Sequence, residues 1–580
     1  MLKPLHKTAF LAIAMLLSGL SSQAQYNTLW IPETLSGTTF NLALRDTFAQ
    51  IVPTGQQTIT AGINGKFWGP TLIFNQGDTV HMNVQNYLND STTIHWHGFH
   101  LPAVMDGGPH QVIPPGTNWQ PYWKVSNNAA TYWYHPHLHE MSVQQITKGL
   151  GGFIIVRDPI ESALALPRTY GVDDIPLALT DRDFNTSNQF VDVPYGDSLL
   201  TNGVLHAQYS LPAQVVRLRI LNAAIERSYN IGFSDNRNFS IITSDGGLLN
   251  APVSLNRYLL HAGERIEILV DFAGQSGQSF DLKAFNSTLG GFIAGGESFP
   301  NGPFANYLGH ADFALLHINV TAQTASPITS IPTTLTNNVL LNSASANITR
   351  KVTISDSTGV TSVPVLGPNA FVLNHRLFTI DHIDYQVPLN NTEIWEITSS
   401  SAFGHPFHIH DVEFNILSVN GVAPVAAQAG WKDVVFIPGK TGNTSTVVKF
   451  IAKFDDYSDI THPFMFHCHI ALHEDEGMMG QFVVSDTAAT TDVNAIKETG
   501  ADFSIFPNPA NSRLFVAMQS NDAKPYYIRI TNVLGQTMYM LPQPDLSNGI
   551  DISRLKNGMY FLQLTSDPYK KSITKSFIKE

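Results

Sequence analysis

Four short clusters of histidine are the part of this 580-residue sequence best suited to chemistry. Side chains two positions apart on a β-strand point to the same face, so each His-x-His pair would present two imidazoles on one side. Two such pairs that face one another could enclose several metal ions. The clusters are His95-Trp96-His97-Gly98, His135-Pro136-His137, His405-Pro406-Phe407-His408-Ile409-His410, and His467-Cys468-His469 followed by His473 and Met478.

The last cluster contains Cys468, the only cysteine of the chain. On an extended backbone His467 and His469 point one way and Cys468 points the other, so one strand would join two metal sites. A single His-x-His pair is more often an ordinary polar pair than a metal site. Four clusters together with the one cysteine make coincidence a poor explanation.

The types of ligand indicate which metal these clusters would bind. One thiolate, two imidazoles and a weak thioether are the ligands of an electron-transfer copper, and a site rich in imidazole suits copper that binds oxygen species. Zinc is the main chemical competitor. Structural zinc usually takes four closed ligands with more thiolates, and catalytic zinc usually needs only three protein ligands. The number of histidines therefore predicts that several ions are bound, and the types of ligand favour copper.

The composition is that of a soluble globular protein large enough for several cores. The length of 580 residues predicts about three or four domains. Hydrophobic residues make up 43% of the chain and charged residues 14%, which excludes general disorder. The formal charge of -13, the pI near 5.9 and the absence of Lys/Arg runs argue against nucleic acid as a partner.

The first 24 residues predict an export signal. A basic start with Lys3 and Lys7 precedes an apolar stretch over residues 9–20 and a small-x-small sequence that ends at Ala24. The apolar stretch is shorter than the roughly 20 residues of a spanning helix, and no later segment is predicted to span a membrane. An exported chain with one cysteine cannot use it for an internal disulfide, so the thiol has another role.

The body of the chain is predicted to be β structure in three blocks. Residues 216–220 and 266–271 alternate between apolar and polar at period two, and turn residues bound both segments. Short strands with frequent Gly and Pro are typical of sandwiches or Greek-key barrels. Loosely related phrases at 62–65, 201–203 and 372–374 open blocks of about 150 residues, which predicts domains over 25–157, 158–327 and 328–486.

The composition changes after the third block. Residues 487–501 are small and polar, as expected of a linker, and residues 502–580 form a β-rich module. Segments 503–509, 528–535 and 550–560 of this module resemble the C-terminal sorting domain of the type IX secretion system. The resemblance implies that the first signal takes the chain to the periplasm and the tail takes it, through that machinery, to the cell surface or medium. The structural alternative is an accessory β-sandwich that binds carbohydrate.

The four clusters, in this order at the two ends of a three-domain β chain, resemble those of the multicopper oxidases. This family comprises laccases, bilirubin oxidases and bacterial cuprous oxidases, and the resemblance covers residues 30–486. It implies four copper ions, one of type 1, one of type 2 and two of type 3. The type 2 ion would be held by His95 and His408, and the type 1 ion by His405, Cys468 and His473 with Met478 as axial ligand. The type 3 pair would take the remaining histidines, His97, His135, His137, His410, His467 and His469.

The resemblance also implies a fold and a reaction. The fold is all-β, with three cupredoxin-like Greek-key β-barrel domains, the middle one a spacer, followed by a small C-terminal β-sandwich domain. In the implied reaction a donor gives single electrons at the type 1 copper beside His473. Cys468 and its strand pass them to the trinuclear cluster, where dioxygen takes four and becomes water. Asp106 and Glu474 match carboxylates that serve the family as proton relays, although an Asp-Gly turn and a solvated glutamate are the structural alternatives.

Three classes of function fit the sequence. The first is a laccase-like oxidase of phenols, aromatic amines or related dyes, or in a narrower version of Cu(I) or another metal ion. The chain has only 12 scattered methionines, whereas cuprous oxidases often carry a methionine-rich insert. The second is a non-catalytic copper-binding or envelope-assembly protein, a class that typically lacks ligands. The third is a copper nitrite reductase, which normally has two domains and no trinuclear cluster.

Other conspicuous residues are interpreted as structural. His139 could share a face with His137, but the family pattern does not use it, and the isolated histidines such as His100 and His110 are assigned to packing. The segment Trp431-Lys432-Asp433 resembles a family segment with a packing role.

Overall fold

The computed structural model describes residues 26–298, 305–356, 371–486, 503–518, 527–532, 537–542, 546, 549–567 and 570–580. The chain divides into two compact units, Met1–Ala488 and Ala489–Glu580. Strands dominate both, which confirms the predicted all-β class. The predicted signal peptide at 1–24 and the predicted linker at 487–501 lie outside the described residues.

The first block of the large unit contains two sheets. One has the strand order β2-β5-β11-β10-β7, and the other has the order β4-β3-β6-β8 with β9 also on β6. The first strand, β1, instead joins a sheet of the middle block. The strands are β1 (Asn27–Thr28), β2 (Thr34–Ser36), β3 (Thr39–Ala49), β4 (Thr58–Ile63), β5 (Thr71–Asn75), β6 (Thr79–Asn86), β7 (His95–His97), β8 (Asn118–Trp119), β9 (Tyr122–Lys124), β10 (Thr131–His135) and β11 (Gly152–Arg157).

The middle block also has two sheets. Their strand orders are β1-β16-β24-β23-β18-β21 and β15-β14-β12-β17-β22-β19-β20, with β13 beside β12. The strands are β12 (Asp174–Phe184), β13 (Phe190–Val191), β14 (Ser198–Thr201), β15 (Val204–Leu205), β16 (Ala207–Pro212), β17 (Val215–Asn222), β18 (Tyr229–Phe233), β19 (Phe239–Ser244), β20 (Gly247–Leu255), β21 (Tyr258–Leu260), β22 (Arg265–Asp271), β23 (Ser279–Phe285) and β24 (Asp312–Thr321).

The third block repeats the arrangement with two five-stranded sheets. Their orders are β26-β25-β28-β32-β30 and β27-β34-β33-β29-β31. The strands are β25 (Ile348–Asp356), β26 (Phe371–Leu373), β27 (Tyr385–Pro388), β28 (Asn391–Ser399), β29 (His405–Ile409), β30 (Phe414–Val419), β31 (Val434–Ile437), β32 (Thr446–Phe454), β33 (Asp459–Cys468) and β34 (Met479–Ser485).

The small unit at the C-terminus has a three-stranded sheet, β35-β36-β39, and a four-stranded sheet, β38-β37-β40-β41. Its own apolar core includes Leu514, Ile528, Ile530 and Leu562. The strands are β35 (Phe503–Phe506), β36 (Arg513–Met518), β37 (Tyr527–Asn532), β38 (Thr537–Pro542), β39 (Ile550–Asp551), β40 (Gly558–Asp567) and β41 (Lys570–Lys579).

Helices are short throughout the described residues. Among these residues, no helix has the length and hydropathy needed to cross a bilayer. The α-helices are α1 (Ser142–Lys148), α2 (Pro159–Ala163) and α3 (Ala471–Asp475), and the 3-10 helices are Ala103–Met105, Asn286–Thr288, Ser343–Ser345 and Ala426–Gln428.

The two segments with the clearest period-two pattern are strands, β17 and β22, as predicted, and the structure pairs them with each other. Period-two alternation predicts that the polar residues of such strands face solvent. In the structure these polar residues face other parts of the same chain. Arg219 is 2% exposed and donates to Glu267 at 2.6 Å, while Thr131 of the first block also donates to Glu267. A buried ion pair of the middle block is therefore hydrogen-bonded to Thr131 of the first block.

Candidate metal centre

The first two histidine clusters lie side by side because their strands pair. In the antiparallel register of β7 and β10, His135 is opposite His95 and Trp133 is opposite His97. The backbone N–H of His137 donates to the Thr93 hydroxyl at 2.7 Å, which fixes the chain just beyond β10. The imidazoles of both clusters therefore meet.

The last two clusters are paired in the same way. In the antiparallel register of β29 and β33, His408 is opposite His467 and Phe407 is opposite Cys468. Just beyond β33, the backbone N–H of His469 donates to the carbonyl of Pro406 at 2.7 Å. Backbone pairing thus brings these imidazoles together without a metal ion.

Six imidazoles from the four clusters come together in two groups of three. The first histidine group is His97, His135 and His469, whose ligand atoms all lie within 4.8 Å of one another. Within it, His97 Nδ1 is 3.3 Å from His135 Nε2 and 3.2 Å from His469 Nε2. All three residues are at most 6% exposed.

The second histidine group is His137, His410 and His467, with ligand atoms again within 4.8 Å of one another. His467 Nε2 is 3.1 Å from His137 Nε2 and 3.3 Å from His410 Nε2. Burial lowers the pKa of all three imidazoles, that of His467 to about 4, so they are neutral near pH 7.

These separations fit metal ligation better than hydrogen bonding. Nδ1 of His135 donates to the Pro136 carbonyl and Nδ1 of His467 donates to the Cys468 carbonyl, at 2.8 and 2.9 Å. In a neutral imidazole the Nε2 atom then carries only a lone pair. Facing lone pairs repel, but nitrogens held about 2.0–2.1 Å from one tetrahedral ion lie about 3.3 Å apart. Each group therefore has the chemistry and spacing of ligands to a shared cation.

His95 and His408 form a further candidate pair. Their ligand atoms lie within 4.8 Å of each other and of a ring nitrogen of His97. Nδ1 of His95 donates to the Asp106 carbonyl at 3.0 Å, and Nδ1 of His408 donates to the Asp433 carbonyl at 2.7 Å. The buried Nε2 atoms of both rings have no hydrogen-bond partner in the described part of the chain. Buried nitrogen lone pairs that accept no hydrogen bond are suited to bind a metal ion.

The sulfur site lies on the other side of β33. Cys468 Sγ is 3.6 Å from His405 Nδ1 and 3.5 Å from His473 Nδ1, close to the roughly 3.5 Å expected of sulfur and nitrogen ligands on one ion. Met478 is fully buried in the same core and its carbonyl accepts from the Cys468 N–H. Burial raises the pKa of Cys468, so a bound cation is needed to keep a thiolate here. The ring of Phe371 lies 4.6 Å from the rings of both His405 and His473.

Asp106 contacts histidines from two of the clusters. Its Oδ2 accepts from His410 Nδ1 at 2.8 Å, and its Oδ1 lies 3.4 Å from His95 Nδ1. The carboxyl group is 1% exposed, and among the described residues Oδ1 has no hydrogen-bond partner. Gly107 follows at φ +81°, and a Cβ at this position would lie 1.7 Å from the Ile94 carbonyl oxygen, so the turn requires glycine. Asp106 therefore lies in an Asp-Gly turn and also contacts histidines.

Glu474 lies between the sulfur site and the second histidine group. It follows His473 in α3, and its Oε1 lies 3.2 Å from His137 Nδ1. The hydroxyl of Ser142 donates to the same oxygen at 2.8 Å. Burial raises the pKa of Glu474, and the neighbouring Asp475 raises it further. Ser142 was not identified from the sequence.

Asp433 is a second residue that the sequence did not identify as part of this site. Its Oδ1 accepts from His97 Nε2 at 3.1 Å, and its carbonyl accepts from His408. Arg265, from β22 of the middle block, donates to both carboxylate oxygens at 2.6 Å. The predicted packing role of this segment is therefore incomplete, because Asp433 also fixes the ring of His97 and ties it to a buried cation.

The histidines interpreted as structural lie outside these groups. His139 packs edge-on against Phe378, with ring centroids 5.2 Å apart, and His110 Nε2 is 2.7 Å from the Gln481 side-chain oxygen. Every histidine assigned to the clusters by sequence, and Cys468, belongs to one of the close groups described above.

Comparison with family models identifies both units. Residues 47–161, 177–293 and 334–488 each match a model described as multicopper oxidase. Residues 504–580 match a model described as a secretion system C-terminal sorting domain. The latter confirms the predicted type IX sorting tail and implies secretion or a place on the cell surface.

Individual relatives agree with this result. The chain is 30% identical over 439 residues to multicopper oxidase mco of Staphylococcus haemolyticus, covering 74% of this chain and 84% of that one. It is also 30% identical over 444 residues to cell division protein FtsP of Escherichia coli, covering 74% and 86%. A solved structure of the laccase-like multicopper oxidase CueO from Ochrobactrum superposes with a TM-score of 0.69, at 32% identity, covering 79% of this chain and all of that one.

The chain belongs to the multicopper oxidase family. This confirms the predicted fold of cupredoxin-like domains with a small β domain at the C-terminus. Family membership implies copper as the cofactor and oxygen as the electron acceptor.

Proposed function

We propose that this chain is a laccase-type oxidase. It would take single electrons from a phenolic, aromatic-amine or metal-ion donor and deliver four of them to dioxygen, making water. The observation that carries the proposal is the position of Cys468 between two histidines of different groups. His469 belongs to the first histidine group and His467 to the second, while Cys468 Sγ faces His405 and His473.

We propose four copper ions, held by the residues predicted from the sequence. One ion of type 1 would be bound at His405, Cys468 and His473, with Met478 as axial ligand, and one of type 2 at His95 and His408. The two type 3 ions correspond to the two histidine groups, His97, His135 and His469 in one and His137, His410 and His467 in the other. When bound, copper supplies one-electron redox chemistry at the sulfur site and oxygen binding at the imidazole-rich site. The domain boundaries at 157 and 327 are part of the same proposal.

The protein itself provides the connection between these sites. A few covalent bonds of one strand link Cys468 to His467 and to His469, so the path from the sulfur site branches to both histidine groups. Neutral rings with fixed Nδ1 donors keep their lone pairs aimed inward. Separation of the donor side from the oxygen side keeps the donor away from partly reduced oxygen.

We propose Asp106 and Glu474 as the residues that deliver protons. Asp106 Oδ2 accepts from His410, and Glu474 Oε1 is within reach of His137 and bonded to the Ser142 hydroxyl. Each carboxyl group therefore touches an imidazole of the oxygen side. Positions of this kind suit groups that hold a proton and pass it on.

The donor would approach near His473. His473 is 4% exposed and its ring is flanked by Phe371, which supports an aromatic donor that packs near this residue. The Ochrobactrum relative is described as an oxidase active towards lignin model compounds and lignosulfonate, which supports a phenolic donor. The equal similarity to cell division protein FtsP keeps a non-catalytic role as the second candidate. The complete set of metal-binding side chains favours the oxidase.

Oxygen uptake by the purified, copper-loaded chain tests this function. Phenols, bilirubin, Cu(I) and Fe(II) are supplied separately, and we expect uptake with at least the phenols, with four electrons consumed per dioxygen and no peroxide released. The same chain without copper is the control. A fully copper-loaded protein that consumes no oxygen with any of these donors would favour the non-catalytic class.

Asp433→Asn is expected to weaken copper binding. The amide accepts less strongly from His97 Nε2, so copper affinity should fall about 10–100-fold. The buried Arg265 loses its closest anion and keeps Asp245, at 3.8 Å, so stability should fall by roughly 3–5 kcal/mol. Competition with a chelator measures affinity, and chemical denaturation measures stability. Glu161→Gln is the matched control, because it breaks a buried ion pair with Arg217 in the middle block. It should lose stability but keep its copper, and equal copper loss in both variants would contradict the assignment.

Removal of residues 503–580 is expected to change location and not catalysis. The tail belongs to a separate compact unit and matches a sorting domain, so the truncated chain should retain full oxidase activity per molecule. It should accumulate in the periplasm, whereas the full chain reaches the surface or medium. Activity assays on cell fractions measure both effects. Undiminished export of the truncated chain would contradict the sorting role.

A further inference from the structure

A cavity of about 490 Å³ lies beside α3, the helix that carries His473. Its lining includes Leu472 and four carboxylates, and no described residue of the lining is a lysine or arginine. Carboxylates on a low-dielectric wall concentrate cations from solution. The four acidic residues are Glu140, Asp192, Asp475 and Glu476.

A second set of acidic groups lies directly behind this wall. Pro194 and Ile225 line the cavity, and the residues that follow them, Tyr195 and Glu226, are each only 3% exposed. The Tyr195 hydroxyl is 2.9 Å from Glu226 Oε1 and 3.1 Å from Glu297 Oε1. One hydroxyl proton cannot serve two carboxylates at once. The second contact therefore requires either a proton on one of the glutamates or a cation between the oxygens.

The remaining oxygens of this region point to a missing cation. Glu226 Oε2 and Glu476 Oε1 are both buried, and neither has a hydrogen-bond partner among the residues that the structure describes. The guanidinium of Arg227 lies 5.1 Å from the Tyr195 ring and partly offsets the charge of Glu297, but it is paired with Asp181 at 3.0 Å. Buried carboxylates without a compensating charge are strongly unfavourable. Burial, and then the neighbouring Glu297, raises the pKa of Glu226 to about 8, as expected where a positive charge is lacking.

We propose that Glu226, Glu297 and the Tyr195 hydroxyl bind one hard divalent cation of the Mn²⁺ or Ca²⁺ class, which enters through the acidic cavity. A site with only oxygen ligands selects such ions over copper, which prefers imidazole and thiolate. Oxygen ligands on a common ion of this class lie about 3 Å apart, as the oxygens of Tyr195 and the two glutamates do.

A cation at this position would act on the sulfur site through α3. The carbonyl of Ile225, next to Glu226, accepts from the Ala471 N–H of α3 at 2.9 Å, and Ile225 packs in the same core as Cys468. A bound cation would tie the middle block to α3. Its positive charge would also favour arrival of an electron at the sulfur site.

Titration of the copper-loaded full chain with Mn²⁺, followed by the electron paramagnetic resonance of free Mn²⁺ at about 0.15 M salt, tests the proposal. We expect one saturable site per chain. Glu226→Gln should weaken it at least about tenfold, the loss typical of removing even an outer partner of a metal site. Tyr195→Phe should also weaken Mn²⁺ binding, and this variant provides the test if Glu226→Gln does not fold. Glu33→Gln, at an exposed carboxylate elsewhere, should bind as the wild type does.

Two results would overturn the proposal. Unchanged affinity in Glu226→Gln or Tyr195→Phe would mean that this cluster holds protons and not a metal ion. Weak, non-saturating binding shared by the wild type and all variants would mean that only the general negative charge attracts Mn²⁺. The measurement does not involve donor oxidation, so either result leaves the proposed oxidase function intact.

Discussion

Replacing Cys468 with serine is expected to abolish the intense blue absorption of the copper-loaded chain and to reduce donor oxidation to background. The blue colour of an electron-transfer copper arises from its thiolate ligand, and a serine hydroxyl supplies neither the soft sulfur nor an anion near neutral pH. Serine is nearly the same size, so the core around position 468 should be preserved. Copper content should fall from about four to about three ions per chain. Absorption spectra, elemental analysis and oxygen uptake measure the three effects.

Met479→Leu is the control for this variant. Met479 follows the proposed axial ligand Met478, but it packs in a different cluster with Phe378 and Met465. Its replacement should leave the blue absorption and the turnover unchanged. A wild-type chain that is replete with copper yet colourless would contradict the sulfur site itself.

His408→Ala is expected to stop oxygen consumption and to leave the blue absorption in place. His408 contributes a buried Nε2 with no hydrogen-bond partner among the residues that the structure describes, and its ring stacks on His97 with centroids 3.9 Å apart. Its loss removes one of the two proposed type 2 ligands, while the side chains around Cys468 Sγ are untouched. The absorption spectrum reports the sulfur site, and an oxygen electrode reports turnover.

His462→Ala is the matched control, because His462 is a partly exposed histidine bonded to Asp459 and lies outside the two histidine groups and the sulfur site. It should keep both the blue absorption and full oxygen consumption. Full turnover in His408→Ala would show that the assignment of the oxygen side is wrong.

The sequence predicted the parts of the site that depend on local geometry. Alternation along a strand separates His467 from Cys468, and this follows from the backbone alone. The structure agrees, because His467 Nε2 lies 3.1 Å from His137 while Cys468 Sγ lies 3.5 Å from His473. The same alternation correctly predicted β17 and β22. It did not predict that their polar faces are buried, since that depends on another block packing over them.

The residues that were missed all act across long sequence separations. Asp433 contacts His97 from 336 positions away, and Arg265, which neutralises Asp433, comes from the middle block. Ser142 reaches Glu474 across 332 positions. Nothing in the sequence around Asp433 or Ser142 indicates that either residue contacts a distant histidine or glutamate. A tertiary contact of this kind depends on how separate sheets pack.

The sequence by itself determined the side chains proposed to bind metal, their grouping on strands and the C-terminal sorting domain, because these follow from residue type, period-two geometry and a contiguous motif. Only the tertiary structure decided which imidazoles lie within ligand distance of one another, which carboxylates contact them and where, among the described residues, buried oxygens lack a partner. The physical reason is distance. Ligation, hydrogen bonding and charge compensation act over a few ångströms in space, and only the packing of blocks far apart in the chain sets those distances.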